Sequence, residues 1–412
     1  MKLKLARVCS AAMLIGLGVA APAPVLAQKQ KASSYKLSKT VQPLLGEAQK
    51  AQQANDHAGA IGFLNQAVAA ENKTPDDLYL IGLLLINSGV TTKDNPTIKR
   101  GIDLALQSGR TPAEDQAKFV RTLGTLALQA NDYATAMTEF ERYLQLNPND
   151  APVIAEMAEL YRRQKLNQKA VQTMQQAIAV QEKTSGQKAD ESWYRRALAI
   201  AYDGGLVAET MSTGEALVTN YPNSTNWRDV IVIWRETNNL DDQTNLDALR
   251  LQRAATALTG ERDFYEYAEI ASQRGLPGEA KAVIDEGVAA GALNLSKQVV
   301  KELNTTVSGR LAADKASLGA AEKEARASGN GRLALGTGEA FMSYGQYDKA
   351  AEMFRLALEK GGVDAATANT RLGIALARGG DKAGADAAFA AVNTAPRSQL
   401  ARYWKIWASQ RP

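Results

Sequence analysis

The residue types that most often carry enzyme chemistry are scarce in this sequence of 412 residues. It contains one histidine, His57, and one cysteine, Cys9. A zinc site needs several Cys or His ligands, a disulfide needs two cysteines, and a catalytic nucleophile usually needs a neighbouring base. The counts therefore exclude a cysteine–histidine zinc cluster, an intramolecular disulfide framework and any catalysis that uses two histidines.

Two short motifs could still suggest an active site. Ser185 and Lys188 have the spacing of a Ser-x-x-Lys nucleophile, but they fall in a polar stretch rather than at the helix start that positions such a serine. Gly329 and Gly331 match part of a dinucleotide-binding fingerprint, but no predicted strand precedes them. The carboxylates lack the spacing of a calcium loop. We therefore predict a protein that is not an enzyme and that binds no cofactor and no metal.

The first 27 residues have the pattern of a secretory signal peptide. Three basic residues precede an apolar run over residues 8–21, and Val25 and Ala27 supply small residues before a cleavage point. The pattern predicts cleavage between Ala27 and Gln28 and a periplasmic or secreted mature protein. An uncleaved membrane anchor is the alternative. Cys9 stands at the start of the apolar run, where a lipid-modified cysteine is not expected.

The charge balance of the mature chain is close to zero. The full sequence has 48 Lys and Arg against 44 Asp and Glu, and removing three basic residues with segment 1–27 leaves 45 against 44. Nucleic-acid binding generally requires a basic excess, so we predict no nucleic-acid partner. No later stretch is apolar enough to span a bilayer. Residues 28–40 are polar and predict a flexible leader.

The rest of the sequence repeats a pattern with a period of about 34 residues. Counting from Ala117, Gly124 stands at position eight, Ala136 at position twenty and Phe140 at position twenty-four. The same small and large residues recur at these positions in units that begin at Gly331 and Ala366. A small residue lets two helices approach closely, and large residues fill the space around the contact.

This pattern resembles the tetratricopeptide repeat. The resemblance implies an all-α solenoid, a right-handed superhelix of antiparallel helix pairs, that follows the signal peptide. It places repeat starts near residues 41, 75, 117, 151, 192, 224, 261, 297, 331 and 366. We predict an enlarged turn at 89–96, helix without the repeat signature at 297–329, and a terminal capping helix at 397–410. The predicted divisions are a repeat array at 41–222, divergent repeats at 223–330, and a repeat pair with its cap at 331–412.

The resemblance also implies a binding surface, because the first helix of each unit lines the concave face in this family. The family's peptide-contacting positions correspond here to Lys118, Arg121, Gln129, Arg162, Arg163, Trp193, Arg196, Arg228, Arg235, Arg262 and Tyr265. Arginine is well suited to carboxylates and peptide backbones. Ordinary surface arginines neutralised by nearby glutamates are the alternative interpretation.

Together these observations predict a non-catalytic scaffold of a bacterial cell envelope. It would bind a segment of a protein or peptide partner in its groove, within an envelope assembly complex. The alternative is an accessory or chaperone-like subunit of a polysaccharide or peptidoglycan machine, with Trp193 and Tyr265 stacking on sugar. The sequence does not name the partner.

Overall fold

A computed structural model describes residues 35–411, so the predicted signal peptide at 1–27 lies outside the described residues. The chain divides into two compact units, with the division between Leu160 and Tyr161. Over residues 35–411 the regular structure consists of twenty helices and no strand. The prediction of an all-α fold is confirmed.

Unit 1 is built from consecutive helix pairs. Its helices are α1 (Val41–Gln53), α2 (His57–Ala69), α3 (Pro75–Thr92), α4 (Asn95–Gln107), α5 (Ala113–Gln129), α6 (Tyr133–Leu146) and the start of α7 (Ala151–Arg163), which crosses the division. The first helix of each pair begins within four residues of its predicted repeat start.

The enlarged turn predicted at 89–96 is wrong, because α3 continues to Thr92 and only Lys93 and Asp94 separate it from α4. Gly89 is a helical residue at a close helix–helix contact. A Cβ atom placed on it would lie 2.9 Å from the backbone nitrogen of Ile98 in α4. This glycine permits close packing and does not mark a turn.

The chain just before α1 is held against unit 1. The backbone N–H of Lys36 donates to Asp76 Oδ2 (2.8 Å), and that of Ser38 donates to Asp77 Oδ1 (3.2 Å). Tyr35 and Leu37 pack against the apolar cluster of α1–α3. The described end of the predicted leader, residues 35–40, is thus anchored by hydrogen bonds and apolar contacts.

Unit 2 contains the remaining helices. They are α8 (Asn167–Ser185), α9 (Glu191–Asp203), α10 (Val207–Asn220), α11 (Ser224–Thr237), α12 (Asp242–Ala254), α13 (Gly260–Gln273), α14 (Pro277–Ala289), α15 (Gln298–Ala327), α16 (Arg332–Ser343), α17 (Tyr347–Lys360), α18 (Ala365–Gly379), α19 (Lys382–Ala390) and α20 (Arg397–Ser409). The predicted repeat starts near 192, 224, 261, 331 and 366 each fall within one residue of a helix start.

One helix, α15, stands where a helix pair would complete the repeat pattern. It is 30 residues long and buries only Val300, Val307, Leu318 and Ala325, which share one face. Its carboxyl end is capped by Lys360 of α17, whose Nζ donates to the carbonyl oxygens of Ala325, Arg326 and Ser328 at 2.6–2.9 Å. The segment lacks the repeat signature because it is a single surface helix.

Within a helix pair, the small residue at position eight makes room for an aromatic ring. A Cβ atom placed on Gly124 of α5 would lie 2.6 Å from the ring of Phe140 in α6. The same pairing recurs in unit 2 at Gly338 with Phe354 and at Gly373 with Phe389. Both partners belong to one repeat, so this contact is local in sequence.

The terminal helix predicted at 397–410 is confirmed as α20, and its contacts extend well beyond the last repeat. It packs against α18 and α19 and also against α10 and α12. The indole N–H of Trp404 donates to the carbonyl oxygen of Asp247 (3.2 Å), and that of Trp407 donates to the carbonyl of Ala254 (3.1 Å). These bonds join residues 157 and 153 positions apart, so α20 closes unit 2 upon itself.

A buried cluster of charges lies where α12, α18 and α20 meet. The carboxylate of Asp247 is fully buried and pairs with Arg250 (2.8 Å), Arg371 (3.6 Å) and Arg397 (2.8 Å). Glu279 of α14 also binds Arg250, through two hydrogen bonds. Burial by itself would raise the pKa of Asp247, but the three arginines lower it below its ordinary value.

Candidate partner-binding surface

The predicted surface residues occupy the first helices of the helix pairs, as the repeat pattern required. In unit 1, Lys118, Arg121 and Gln129 lie on α5. In unit 2, the residues are Arg162 and Arg163 at the end of α7, Trp193 and Arg196 on α9, Arg228 and Arg235 on α11, and Arg262 and Tyr265 on α13. The predicted set therefore forms two groups, one in each unit.

The unit 1 group carries its own neutralising partners. Arg121 lies 3.4 Å from Asp150 Oδ2, and its guanidinium stands over the ring of Tyr143. The Tyr143 hydroxyl donates to the same Asp150 atom (2.5 Å), and burial together with this carboxylate raises the pKa of Tyr143. Gln129 accepts a hydrogen bond from Asn95 of α4 (3.3 Å).

In unit 2, three arginines tie the first helix of one repeat to the next repeat. Arg195 of α9 pairs with Asp229 of α11 (2.8 Å). The Arg228 Nε of α11 donates to Thr259 Oγ1 (2.7 Å), just before α13, and Arg235 of α11 binds Glu266 of α13. The separations are 34, 31 and 31 residues, close to one repeat period. We call these contacts the inter-repeat arginine pairs.

Two of the predicted residues, Arg228 and Arg235, therefore have a role within unit 2. Arg235 is mostly buried and also donates to Asn245 Oδ1 of α12 (2.7 Å). A guanidinium held by both a carboxylate and an amide has fewer N–H groups left for a partner. These contacts indicate that the two side chains join neighbouring repeats.

Other residues of the unit 2 group face solvent. Arg196 and Arg262 are exposed, and neither makes an ion pair or hydrogen bond with any of residues 35–411. Each lies one helical turn from a partly exposed aromatic ring, Arg196 from Trp193 on α9 and Arg262 from Tyr265 on α13. We call these four residues the aromatic–arginine surface. Such pairs combine a flat apolar face with a charged fork, a composition common in protein interfaces.

Residues missed by the sequence analysis include Arg195, Asp229 and Glu266. They do not stand at the family's peptide-contacting positions, from which the candidate surface residues were chosen. A signal was nevertheless present, because each arginine has an acidic residue about one repeat later in the chain. A search for opposite charges separated by one repeat period would have found the pairs of Arg195 with Asp229 and of Arg235 with Glu266.

The motifs considered for catalysis do not form catalytic pairs. The Ser185 Oγ donates to the carbonyl oxygen of Gln181 (2.7 Å), whereas the Lys188 Nζ lies 3.4 Å from the carbonyl of Asn220. His57 begins α2, and its Nδ1 lies 3.4 Å from Ser88 Oγ. Within residues 35–411, no three His, Cys, Asp or Glu side chains form a group that could hold a metal ion.

Residues 127–189, from the end of α5 into the loop before α9, match the family model described as tetratricopeptide repeat. This segment of the chain therefore has the sequence of a tetratricopeptide repeat. The family predicted from the positions of small and large residues is thus confirmed for the matched segment.

Solved structures of tetratricopeptide-repeat proteins also resemble the chain, at low identity. YrrB, described as having an unusual peptide-binding site, is 16% identical, with 44% of this chain and 87% of YrrB covered and a TM-score of 0.31. A tetratricopeptide-repeat protein from Parabacteroides merdae is 13% identical, with coverages of 66% and 100% and a TM-score of 0.31. Because these TM-scores are below 0.5, the likeness carries no argument about function.

No curated protein matches the chain significantly. Across residues 35–411, none of the helices is both long enough and apolar enough to cross a bilayer.

Proposed function

We propose that this protein is an exported, non-catalytic scaffold of a bacterial cell envelope that binds a segment of a protein partner. The tetratricopeptide repeat is in general a protein-interaction module, and α9 and α13 present an exposed arginine beside an aromatic ring. The observation that carries the proposal is the aromatic–arginine surface, since Arg196 and Arg262 have no partner within residues 35–411.

The partner segment would present carboxylates to the two arginines and apolar or backbone groups to Trp193 and Tyr265. Exposed guanidinium groups can form two parallel hydrogen bonds with a carboxylate. Buried aromatic and arginine anchors commonly account for most of the binding free energy of an interface. We therefore expect an acidic segment that contains apolar residues.

The test is an affinity purification of the mature, tagged protein after crosslinking in its native cells, with identification by mass spectrometry. We expect one stoichiometric protein that is lost when Arg196 and Arg262 are both changed to Glu. These positions are better targets than Arg235, because charge reversal at Arg235 would break an inter-repeat arginine pair. Arg332→Glu, on an exposed arginine of α16, is the matched control and should retain the partner.

Recovery of the same partner by the double variant, with unchanged circular dichroism, would refute the aromatic–arginine surface as the binding site. The polysaccharide or peptidoglycan alternative makes a different prediction. In that case Trp193→Ala would abolish retention on isolated cell-wall glycan, and the double charge reversal would leave glycan retention intact.

Export is tested separately. The amino-terminal residue of the mature protein should be Gln28, as determined by terminal sequencing of protein taken from the periplasmic or secreted fraction. A chain that keeps residues 1–27 and sediments with membranes would instead support the uncleaved anchor.

A further inference from the structure

A cleft inside unit 2 is separate from the aromatic–arginine surface. It has a volume of about 440 Å³, within the range of roughly 300–1,000 Å³ that is usual for small-molecule sites. Helices α12–α18 and α20 all contribute to its wall. All of its lining residues belong to unit 2.

Part of the wall of the cleft consists of buried polar side chains that form hydrogen bonds with one another. Glu279 receives two hydrogen bonds from Arg250 and one from the Tyr267 hydroxyl (2.6 Å). The backbone N–H of Glu279 donates to Ser343 Oγ (2.8 Å). This part of the wall is held rigidly and leaves its charged groups already neutralised.

The less buried cationic groups that line the cleft differ in how they are neutralised. Lys281 pairs with Asp285, and Arg253 pairs with Glu286, so each has a carboxylate partner. Arg378 of α18 has none within residues 35–411. Its guanidinium instead lies over the ring of Tyr347, 5.4 Å from the ring centroid. The cleft therefore keeps one positive charge that is not matched by a protein carboxylate.

Apolar side chains line the same cleft as this charge. Leu311 of α15, Met342 of α16 and Ile374 of α18 all line the cleft, and Ile374 precedes Arg378 by one helical turn. A single unmatched guanidinium suits one carboxylate better than a doubly charged phosphate. The neighbouring apolar side chains suit a short hydrocarbon body.

We propose that this cleft binds a small organic monocarboxylate, with the carboxylate on Arg378 and an apolar body against Leu311, Met342 and Ile374. The Tyr347 ring holds the guanidinium plane in place, which leaves its N–H edge available for two parallel hydrogen bonds. This site is independent of the proposed partner surface, so either proposal can fail without the other.

The test is isothermal titration calorimetry of the mature protein with hexanoate and with benzoate at low ionic strength. We expect saturable binding that weakens roughly tenfold in Arg378→Gln, because a charge-assisted pair is lost. The affinity of Arg378→Lys should lie between those of the parent and of Arg378→Gln, because lysine keeps the charge but lacks the planar guanidinium. Arg355→Gln, on an exposed arginine of α17 that does not line the cleft, is the matched control and should bind as the parent does.

Three further titrants identify what is recognised. Hexanamide, which has the same apolar body without the charge, should not bind. Blocked glutamate (N-acetylglutamate amide) tests whether a protein side chain can supply the carboxylate, and inorganic phosphate tests a different anion. The proposal is overturned if hexanoate does not bind, if hexanamide or phosphate binds as tightly as hexanoate, or if Arg378→Gln binds unchanged while its circular dichroism matches the parent.

Discussion

Each of the two units has its own internal contacts, and these join residues much farther apart in sequence in unit 2 than in unit 1. In unit 1, tertiary hydrogen bonds such as that of Lys36 with Asp76 join residues 40 positions apart, about one repeat. In unit 2, Arg397 reaches Asp247 and Gln410 reaches Val218, over separations of 150 and 192 residues. A stack of repeats can grow by local contacts, whereas closing a long segment requires ordering much more chain first.

The units also differ in where their charges lie. In unit 1, the pairs of Lys99 with Asp103 and of Lys50 with Glu47 are exposed on both sides, and in the pair of Arg110 with Asp76 only the carboxylate is buried. Unit 2 buries the Asp247 cluster among α12, α18 and α20. Exposed pairs contribute about 0–1 kcal/mol each, while removing one partner of a buried pair leaves an uncompensated charge. Unit 2 should therefore be the more sensitive to single charge substitutions.

An intrinsic probe separates the two units experimentally. All five tryptophans belong to unit 2: Trp193, Trp227, Trp234, Trp404 and Trp407. Tryptophan fluorescence therefore follows the unfolding of unit 2, whereas far-ultraviolet circular dichroism follows the helices of both units.

The largest effect is expected from Asp247→Ala. The change leaves Arg250, Arg371 and Arg397 without their shared carboxylate, and we expect the free energy of unfolding of unit 2 to fall by about 3–5 kcal/mol. Urea titration followed by tryptophan fluorescence measures it. Asp242→Ala, at an exposed carboxylate at the start of the same helix, is the control and should change little. Equal loss in both variants would contradict the special role of the cluster.

The next largest effect on stability is expected where a glycine lies in close contact with an aromatic ring. Gly373→Ala places a methyl group against the ring of Phe389, and we expect a loss of about 1–3 kcal/mol from overpacking. Gly319→Ala should instead increase the stability. No atom lies within 4 Å of a Cβ atom there, so helix propensity should stabilise α15 by about 0.5–1 kcal/mol. Thermal unfolding of the two variants, followed by fluorescence, should show shifts in opposite directions.

Acid should weaken unit 2 through the same buried cluster. Burial raises the pKa values of Asp247 and Glu279, but the neighbouring arginines outweigh it, and both lie below their ordinary values of 3.8 and 4.5. Their stabilisation is complete above the ordinary values and is lost as the pH falls through the lowered ones. Fluorescence-detected urea midpoints at pH 6, 4 and 3 measure it. In Asp247→Asn the decline should be shallower, and an unchanged slope would contradict the assignment.

The smallest effect concerns the end of α15. Lys360→Met removes the hydrogen bonds to three carbonyl oxygens, with an expected cost of about 0.5–1.5 kcal/mol. Hydrogen exchange at residues 322–328 should become faster. Lys323→Met, at an exposed position on α15, is the control and should leave the exchange rates unchanged. Faster exchange along the whole of α15 in both variants would argue against a local cap.

Much of the fold was predictable because its signals are local. Helix starts near 41, 75, 151 and 224 followed from the positions of small and large residues. The turn predicted at 89–96 failed because a glycine that permits close packing has the same sequence signature as one that ends a helix. The candidate surface was harder to predict, since Arg196 and Arg235 look alike in sequence and only their surroundings distinguish an exposed guanidinium from one bound to Glu266.

The sequence by itself determined the helix pairs, since partners such as Gly124 and Phe140 lie within one repeat and their sizes constrain each other directly. The tertiary structure decided the rest. The docking of α20 on α12 joins Trp404 to a carbonyl 157 positions earlier, and any buried carboxylate could in principle have served Arg397. The charge or apolarity of a side chain indicates that it needs a partner when it is buried. Only the three-dimensional arrangement brings one particular partner within bonding distance.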